Sequence, residues 1–139
     1  PESKWDGLLD RMGDGYPFLV AVDGAVADTD TDTDTERVLG YAYVQPWNPK
    51  PAYRRTVENT IYLAPDAAGR GLGSALLEAL LDACRTAGIE QVIANIAVSE
   101  TDASFRLHER FGFTRIGRLT EVGVKFDRHL DIELWQRAL

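Results

Sequence analysis

Gly69, Arg70, Gly71, Leu72, Gly73 and Ser74 place three glycines, a guanidinium and a hydroxyl within six positions. The run follows a strand-like segment, Asn59 to Ala64, and opens an apolar helical one. Glycine lets a backbone come close to a ligand. A helix start offers unpaired N–H groups and a partial positive charge. Together these hold phosphate, so the stretch is expected to cradle the diphosphate of a cofactor. It lacks the Gly-Lys-Ser/Thr ending of a nucleoside triphosphate loop. Its glycine spacing is not that of the dinucleotide fingerprint either. A bland alternative stays open: the glycines only permit a tight turn. Two further side chains can move protons. His108 carries an imidazole, with an ordinary pKa of about 6.5, and Glu58 carries a carboxylate ahead of the glycine run. By spacing alone both read as ordinary surface residues.

The elements that must position these groups form a mixed α/β pattern. Tyr16 to Val22, Val38 to Gln45 and Arg54 to Ala64 read as strands, with Gly40 as a bulge. Leu72, Leu76, Leu80 and Leu77, Leu81, Cys84 recur at helical spacing, and Glu78, Asp82 and Arg85 take the wet face. Gly88 stops that helix. Gln91 to Val98 is an apolar strand that completes a βαβ unit, so it pairs in parallel with the strand before the glycines. A short helix starts at Thr101, Asp102 or Ser104 and ends at Gly112. Phe113 to Leu119 and His129 to Gln136 are expected to close the sheet. Pro46, Pro49 and Pro51 stiffen one loop. The alternating Asp28 to Thr35 repeat cannot bury a face and reads as a solvated hairpin loop. It lacks the glycine turn and bidentate glutamate of a calcium loop, and no metal is expected.

The 139 residues fit one domain over 1–139 with one core. A net charge of −7 and a pI near 4.8 disfavour nucleic acid as a partner. No apolar run reaches the roughly 18 residues of a membrane helix, and residues 1–15 do not read as a secretory leader. Cys84 is the single cysteine, which suits a reducing cytoplasm.

Arg70-Gly71-Leu72-Gly73 at a helix start, followed by Ser104-Phe105-Arg106-Leu107-His108-Glu109-Arg110-Phe111-Gly112-Phe113, resembles the GNAT acetyltransferase superfamily. Within it, the chain is similar to the phosphinothricin and methionine sulfoximine N-acetyltransferases. That likeness rests on Tyr41-Ala42-Tyr43, Pro46-Trp47, Ala52-Tyr53, Thr56 to Tyr62, Arg106 to Glu109, Gly123 to Phe126 and Leu134-Trp135-Gln136. The segments stand in family order. Two positions depart from the pattern: Ala68 stands where the superfamily prefers Gln or Arg, and Thr101 where an Asn often touches the cofactor.

The resemblance implies a mostly antiparallel twisted sheet with a central parallel βαβ unit and flanking helices, here expected to lack the family's N-terminal strand and helix. It implies acetyl-CoA as cofactor and acetyl transfer to the amine of a small amino acid or analogue. The alternatives are a protein or peptide N-terminal acetyltransferase and a noncatalytic acyl-CoA-binding module. Glu58 matches the family's catalytic glutamate, and His108 stands where many relatives carry a proton-donating tyrosine. Pantetheine is expected along Ile61, Tyr62 and Leu63, and the diphosphate on the amides of Gly69 to Ser74. Thr101 and Ser104 complete the implied cofactor contacts. Lys50, Tyr53 and Val124 are the implied acceptor contacts. Trp47 is expected at the pocket wall or a subunit contact, and His129 as structural. A homodimer is implied, with Trp135 as a candidate contact.

Overall fold

The structure, a computed structural model, describes residues 16–22, 25–28, 38–67, 69, 71–99 and 101–139. The Asp-Thr repeat beyond Asp28, residues 1–15, Ala68 and Arg70 lie outside the described residues. Seven strands form one sheet. They are β1 (Phe18–Val22), β2 (Ala25–Asp28), β3 (Val38–Pro46), β4 (Thr56–Leu63), β5 (Gln91–Ala97), β6 (Thr114–Lys125) and β7 (Arg128–Ala138). Their order across the sheet is β2-β1-β3-β4-β5-β7-β6. Only β4 and β5 run parallel; every other pair is antiparallel. The helices are α1 (Leu72–Thr86) and α2 (Ala103–Arg110). The expected mixed sheet with a central parallel βαβ unit is the observed architecture, and α1 is its crossover.

Alternation along β4 sorts its side chains by face. Val57 belongs to the main core, and Ile61 and Leu63 pack against it. That core includes Leu76, Leu77, Leu80, Leu81 and Cys84 of α1, which confirms the helical spacing read from the sequence. Burial pushes the Cys84 thiol up to about 12. A smaller cluster, Phe18, Val20, Val22, Tyr41 and Tyr43, covers the other face of β1 and β3. There Phe18 stacks on Tyr43 at 5.3 Å and Tyr41 on Tyr62 at 5.3 Å.

Three expectations change. β2 pairs with β1 at the sheet edge and begins a few residues after it, so the first hairpin is shorter than the sequence reading allowed. Trp135 is not an exposed contact: it is 7% exposed, stacks on Phe105 at 5.9 Å and donates from Nε1 to Glu133 Oε1. The closing strands run further than expected and meet in a tight turn at Phe126 and Asp127, both at positive φ. Gly40 does flank a bulge, since Ala21 pairs with Gly40 and Val22 with Val38. Its glycine has a second cause. A Cβ there would lie 2.5 Å from the Tyr62 carbonyl oxygen. No helix among the described residues is long and apolar enough to cross a membrane.

Candidate active site

The parallel pairing of β4 with β5 runs from Thr56 opposite Gln91 to Asn59 opposite Ala94, and stops there. Beyond it β5 continues against β7, and β4 continues against β3. From Thr60 to Leu63, β4 therefore has an edge with no strand beside it among the described residues. Ile61, Tyr62 and Leu63 lie on this bare edge, whose backbone groups are free to pair with an extended ligand. Glu58 and Asn59 sit at the vertex of the opening. Being consecutive in a strand, they point to opposite faces of the sheet.

On one face, Glu58 is half-buried between its neighbours across the sheet. Gln45 Nε2 of β3 donates to its Oε2 at 3.0 Å, and Asn95 Nδ2 of β5 donates to its Oε1. The carboxylate is thus held by two neutral amides, with no cation bonded to it among the described residues. Val57 and Ile61 lie on the other face, in and against the main core. A groove of about 340 Å³ opens on this face of the sheet, lined in part by Thr56, Gln91, Trp47 and Ile93, the β5 residue that pairs with Glu58.

On the helix face, His108 of α2 is buried at 4% exposure. Its Nδ1 lies 2.8 Å from the carbonyl oxygen of Ser104, one helical turn back. Its Nε2 lies 3.1 Å from Asn59 Nδ2. Phe113 meets the ring edge-on at 4.8 Å. Burial pushes the imidazole below its ordinary pKa, against the opposing pull of the Ser104 carbonyl. The ring is therefore neutral at neutral pH. Glu58 and His108 flank one vertex, but from opposite sides of β4.

Past the bare edge, Gly69 and Gly71 take left-handed conformations with φ of 84° and 76°. A Cβ on either would meet nothing within 4 Å, so backbone conformation rather than packing requires glycine here. Gly71 caps α1 without a side-chain hydrogen bond. The first intrahelical donor is Ala75 N, to Gly71 O. The amides of Leu72, Gly73 and Ser74 are accordingly the donors of a helix start, with no partner among the described residues. Ser74 Oγ accepts from Arg110 Nη2 at 3.2 Å, which brings a cation to this end of α1. Thr101 and Ser104 stand at the exposed start of α2, where Ser99 Oγ donates to the Thr101 carbonyl at 3.0 Å. Among the described residues, no cluster of side chains is fit to hold a metal ion.

Residues 5–113, which hold this opened strand pair and glycine-capped helix start, match the model of the Acetyltransferase (GNAT) family. The chain belongs to the GNAT acetyltransferase family. It is 41% identical, over its whole length and 76% of the relative's, to a phosphinothricin N-acetyltransferase of Streptomyces coelicolor. It is 40% identical, over 93% of its length and 69% of the relative's, to a methionine sulfoximine/methionine sulfone acetyltransferase of Pseudomonas aeruginosa. A phosphinothricin acetyltransferase from Sinorhizobium meliloti, solved in complex with AcCoA, superposes with a TM-score of 0.83. That protein is 36% identical, and the match covers 99% of this chain and 69% of that one.

Not every residue implied by the GNAT resemblance is gathered at the vertex. Tyr53 meets Trp47, which lines the groove, edge-to-face at 5.4 Å. Lys50 is exposed in the same proline-rich loop. Val124 is not brought there. It pairs with His129, seven residues along β7 from the Gln136 that faces Ile93, or roughly 23 Å. Three polar residues at the vertex were not foreseen. Gln45 and Asn95 reach Glu58 only through strand register, which short-range sequence does not display. Asn59 did leave a trace: it is the one polar residue in the apolar stripe Val57, Ile61, Leu63.

Proposed function

We propose that this chain transfers the acetyl group of acetyl-CoA to the amino group of a small amino acid or analogue, such as phosphinothricin, methionine sulfoximine or methionine sulfone. The observation that carries the reading is a half-buried carboxylate, Glu58, fixed by two amides at the vertex of an opened strand pair. The residues present fit the cofactor. The bare edge at Ile61, Tyr62 and Leu63 suits the amides of pantetheine, and the free N–H groups from Gly71 to Ser74 suit a diphosphate. Gly69 and Arg70 extend that cradle in sequence, and Thr101 and Ser104, just before and at the start of α2, complete the proposed cofactor contacts. Bound acetyl-CoA supplies an activated thioester carbonyl and a thiolate leaving group.

The chain's own contribution is positioning and proton removal. An ammonium at the groove must lose a proton before its nitrogen can attack, and Glu58 is the acceptor at hand. His108 offers a lone pair at Nε2 on the other side of β4, so in its neutral state it accepts a proton rather than gives one. Tyr53, against Trp47 of the groove's lining, and Lys50 of the same loop serve the acceptor's acidic group. The exposed apolar side chains of the closing hairpin, Ile116, Leu119, Val122, Val124 and Phe126, offer a face to a second copy of the chain. In such a homodimer Val124 lines the partner's acceptor site rather than its own. The lone buried Cys84 thiol suits a cytoplasmic setting.

Thiol release from acetyl-CoA, followed across a panel of amines, tests the reading. Turnover with methionine sulfoximine or phosphinothricin is expected. Turnover only with peptide N-termini would replace the substrate class. Acetyl-CoA binding with no transfer to any amine would overturn the enzymatic reading.

A further inference from the structure

What His108 can do depends on which nitrogen carries its proton, and Asn59 governs that. The Ser104 carbonyl can only accept, so Nδ1, at 2.8 Å, is protonated. A neutral ring then has its lone pair on Nε2, and the Asn59 amide nitrogen donates to it at 3.1 Å. The other end of that amide, Oδ1, is buried without a partner among the described residues. Asn59 is only 6% exposed, and an unpaired buried carbonyl is rare in a native core. An apolar residue would sit in this stripe without that cost, as Val57, Ile61 and Leu63 do.

We infer that Asn59 is a positioning residue for His108: its Nδ2–H holds the ring neutral with the lone pair on Nε2, and its spare Oδ1 receives Nε2–H once the ring is protonated. A half-turn of the amide exchanges one end for the other. Asparagine offers both a donor and an acceptor at that end, so one side chain serves both protonation states of the imidazole. A leucine could serve neither, and an aspartate only the cation.

Among the described residues, no charged group competes for the ring. β4 presents Asn59, the segment before β6 presents Phe113, and α2 itself presents the Ser104 carbonyl. Arg106, Glu109 and Arg110 of α2 are exposed. On β7, Glu133 is taken by Trp135 Nε1 at 3.1 Å and Arg115 Nε at 3.2 Å, and Arg137 by the Phe111 carbonyl. From α1 the only titratable group in the core is Cys84.

The inference rests on His108 taking part in acetyl transfer, but its test does not. The chain has two histidines, so nitrogen NMR of the full-length protein labelled at histidine, with His129→Asn to assign the signals, reads His108 directly. At pH 8 the Nδ1–H tautomer is expected in at least tenfold excess; a dominant Nε2–H tautomer would overturn the inference. This measurement needs no variant at position 59. In Asn59→Asp the His108 midpoint is expected to rise by one unit or more, and the pH profile of kcat to move with it. A folded Asn59→Asp protein with an unmoved midpoint also overturns it. If tautomer and midpoint behave as stated while His108→Asn transfers acetyl at the wild-type rate, the catalytic reading of His108 falls and the tautomer control stands.

Discussion

Replacing Glu58 by Gln keeps the side chain's shape and removes its ability to take a proton. Loss of a positioned general base lowers turnover by about 10²- to 10⁴-fold, equivalent to ~3–5.5 kcal/mol of barrier. The structure separates this effect from damage to the fold. Gln45 and Asn95 both donate to the Glu58 carboxylate. A glutamine has one oxygen to offer, so one of the two amides meets an NH2 group. That neighbour can turn its own end group and become the acceptor. The net change is two charge-assisted hydrogen bonds converted to neutral ones, about 1 kcal/mol in all at this half-buried site. For a domain of this size that is a fall in Tm of about 3–5 °C.

Glu58 is also aimed away from the Gly71-to-Ser74 amides and takes no part in the bare edge from Thr60 to Leu63. The dissociation constant of acetyl-CoA should therefore move by less than about threefold. Three assays on one variant decide the matter: thiol release with an amino acid acceptor, calorimetric titration with acetyl-CoA, and thermal melting. If kcat/KM stays within threefold of wild type while Tm drops as stated, the carboxylate only ties three strands together, and the reasoning about proton removal is refuted.

Three further outcomes follow from the geometry. The folded protein holds His108 below the pKa it has when unfolded. The unfolded chain thus binds the proton first, and stability falls as pH drops below about 6.5; melting between pH 8 and pH 5 should show this slope, and His108→Asn should lose it. In Gly71→Ala the φ of 76° strains the new side chain by about 1 kcal/mol; relief of that strain shifts the cradle amides and weakens acetyl-CoA about fivefold by calorimetry, and unchanged affinity would count against the cradle. The Cys84 thiol, pushed up to about 12 within the core, should resist alkylation at pH 8 in the native protein and react promptly in denaturant; rapid native labelling would contradict its burial.

Local signals carried much of this fold. The leucine spacing of α1, its stop at Gly88 and the apolar run of β5 together demanded a crossover and a parallel pair, and both are present. The glycines before α1 sit where a helix start and left-handed backbone need them. Failures arose where long-range contact decides. Trp135 lies among polar neighbours in sequence, yet Phe105 of α2 covers it. β2 is four residues long and lies next to the acidic repeat, which hid it.

The vertex shows the limit most clearly. Glu58 was singled out through a resemblance, because strand alternation alone gives no reason to prefer it. The same alternation has a consequence for the chemistry. Consecutive residues of β4 serve opposite faces, so Glu58 lies on the groove side of the sheet while Asn59 lies on the helix side. Asn59 reaches His108 across a separation of 49 residues, and the crossover helix is what brings α2 back over β4. The two groups proposed to handle protons are thus divided by the strand that positions them both. On that proposal, proton removal from the amine and any proton exchange at His108 meet only at the end of the β4–β5 pairing, where the sheet opens. A substitution that extended that pairing past Asn59 would close the vertex and separate the two groups, without touching either one.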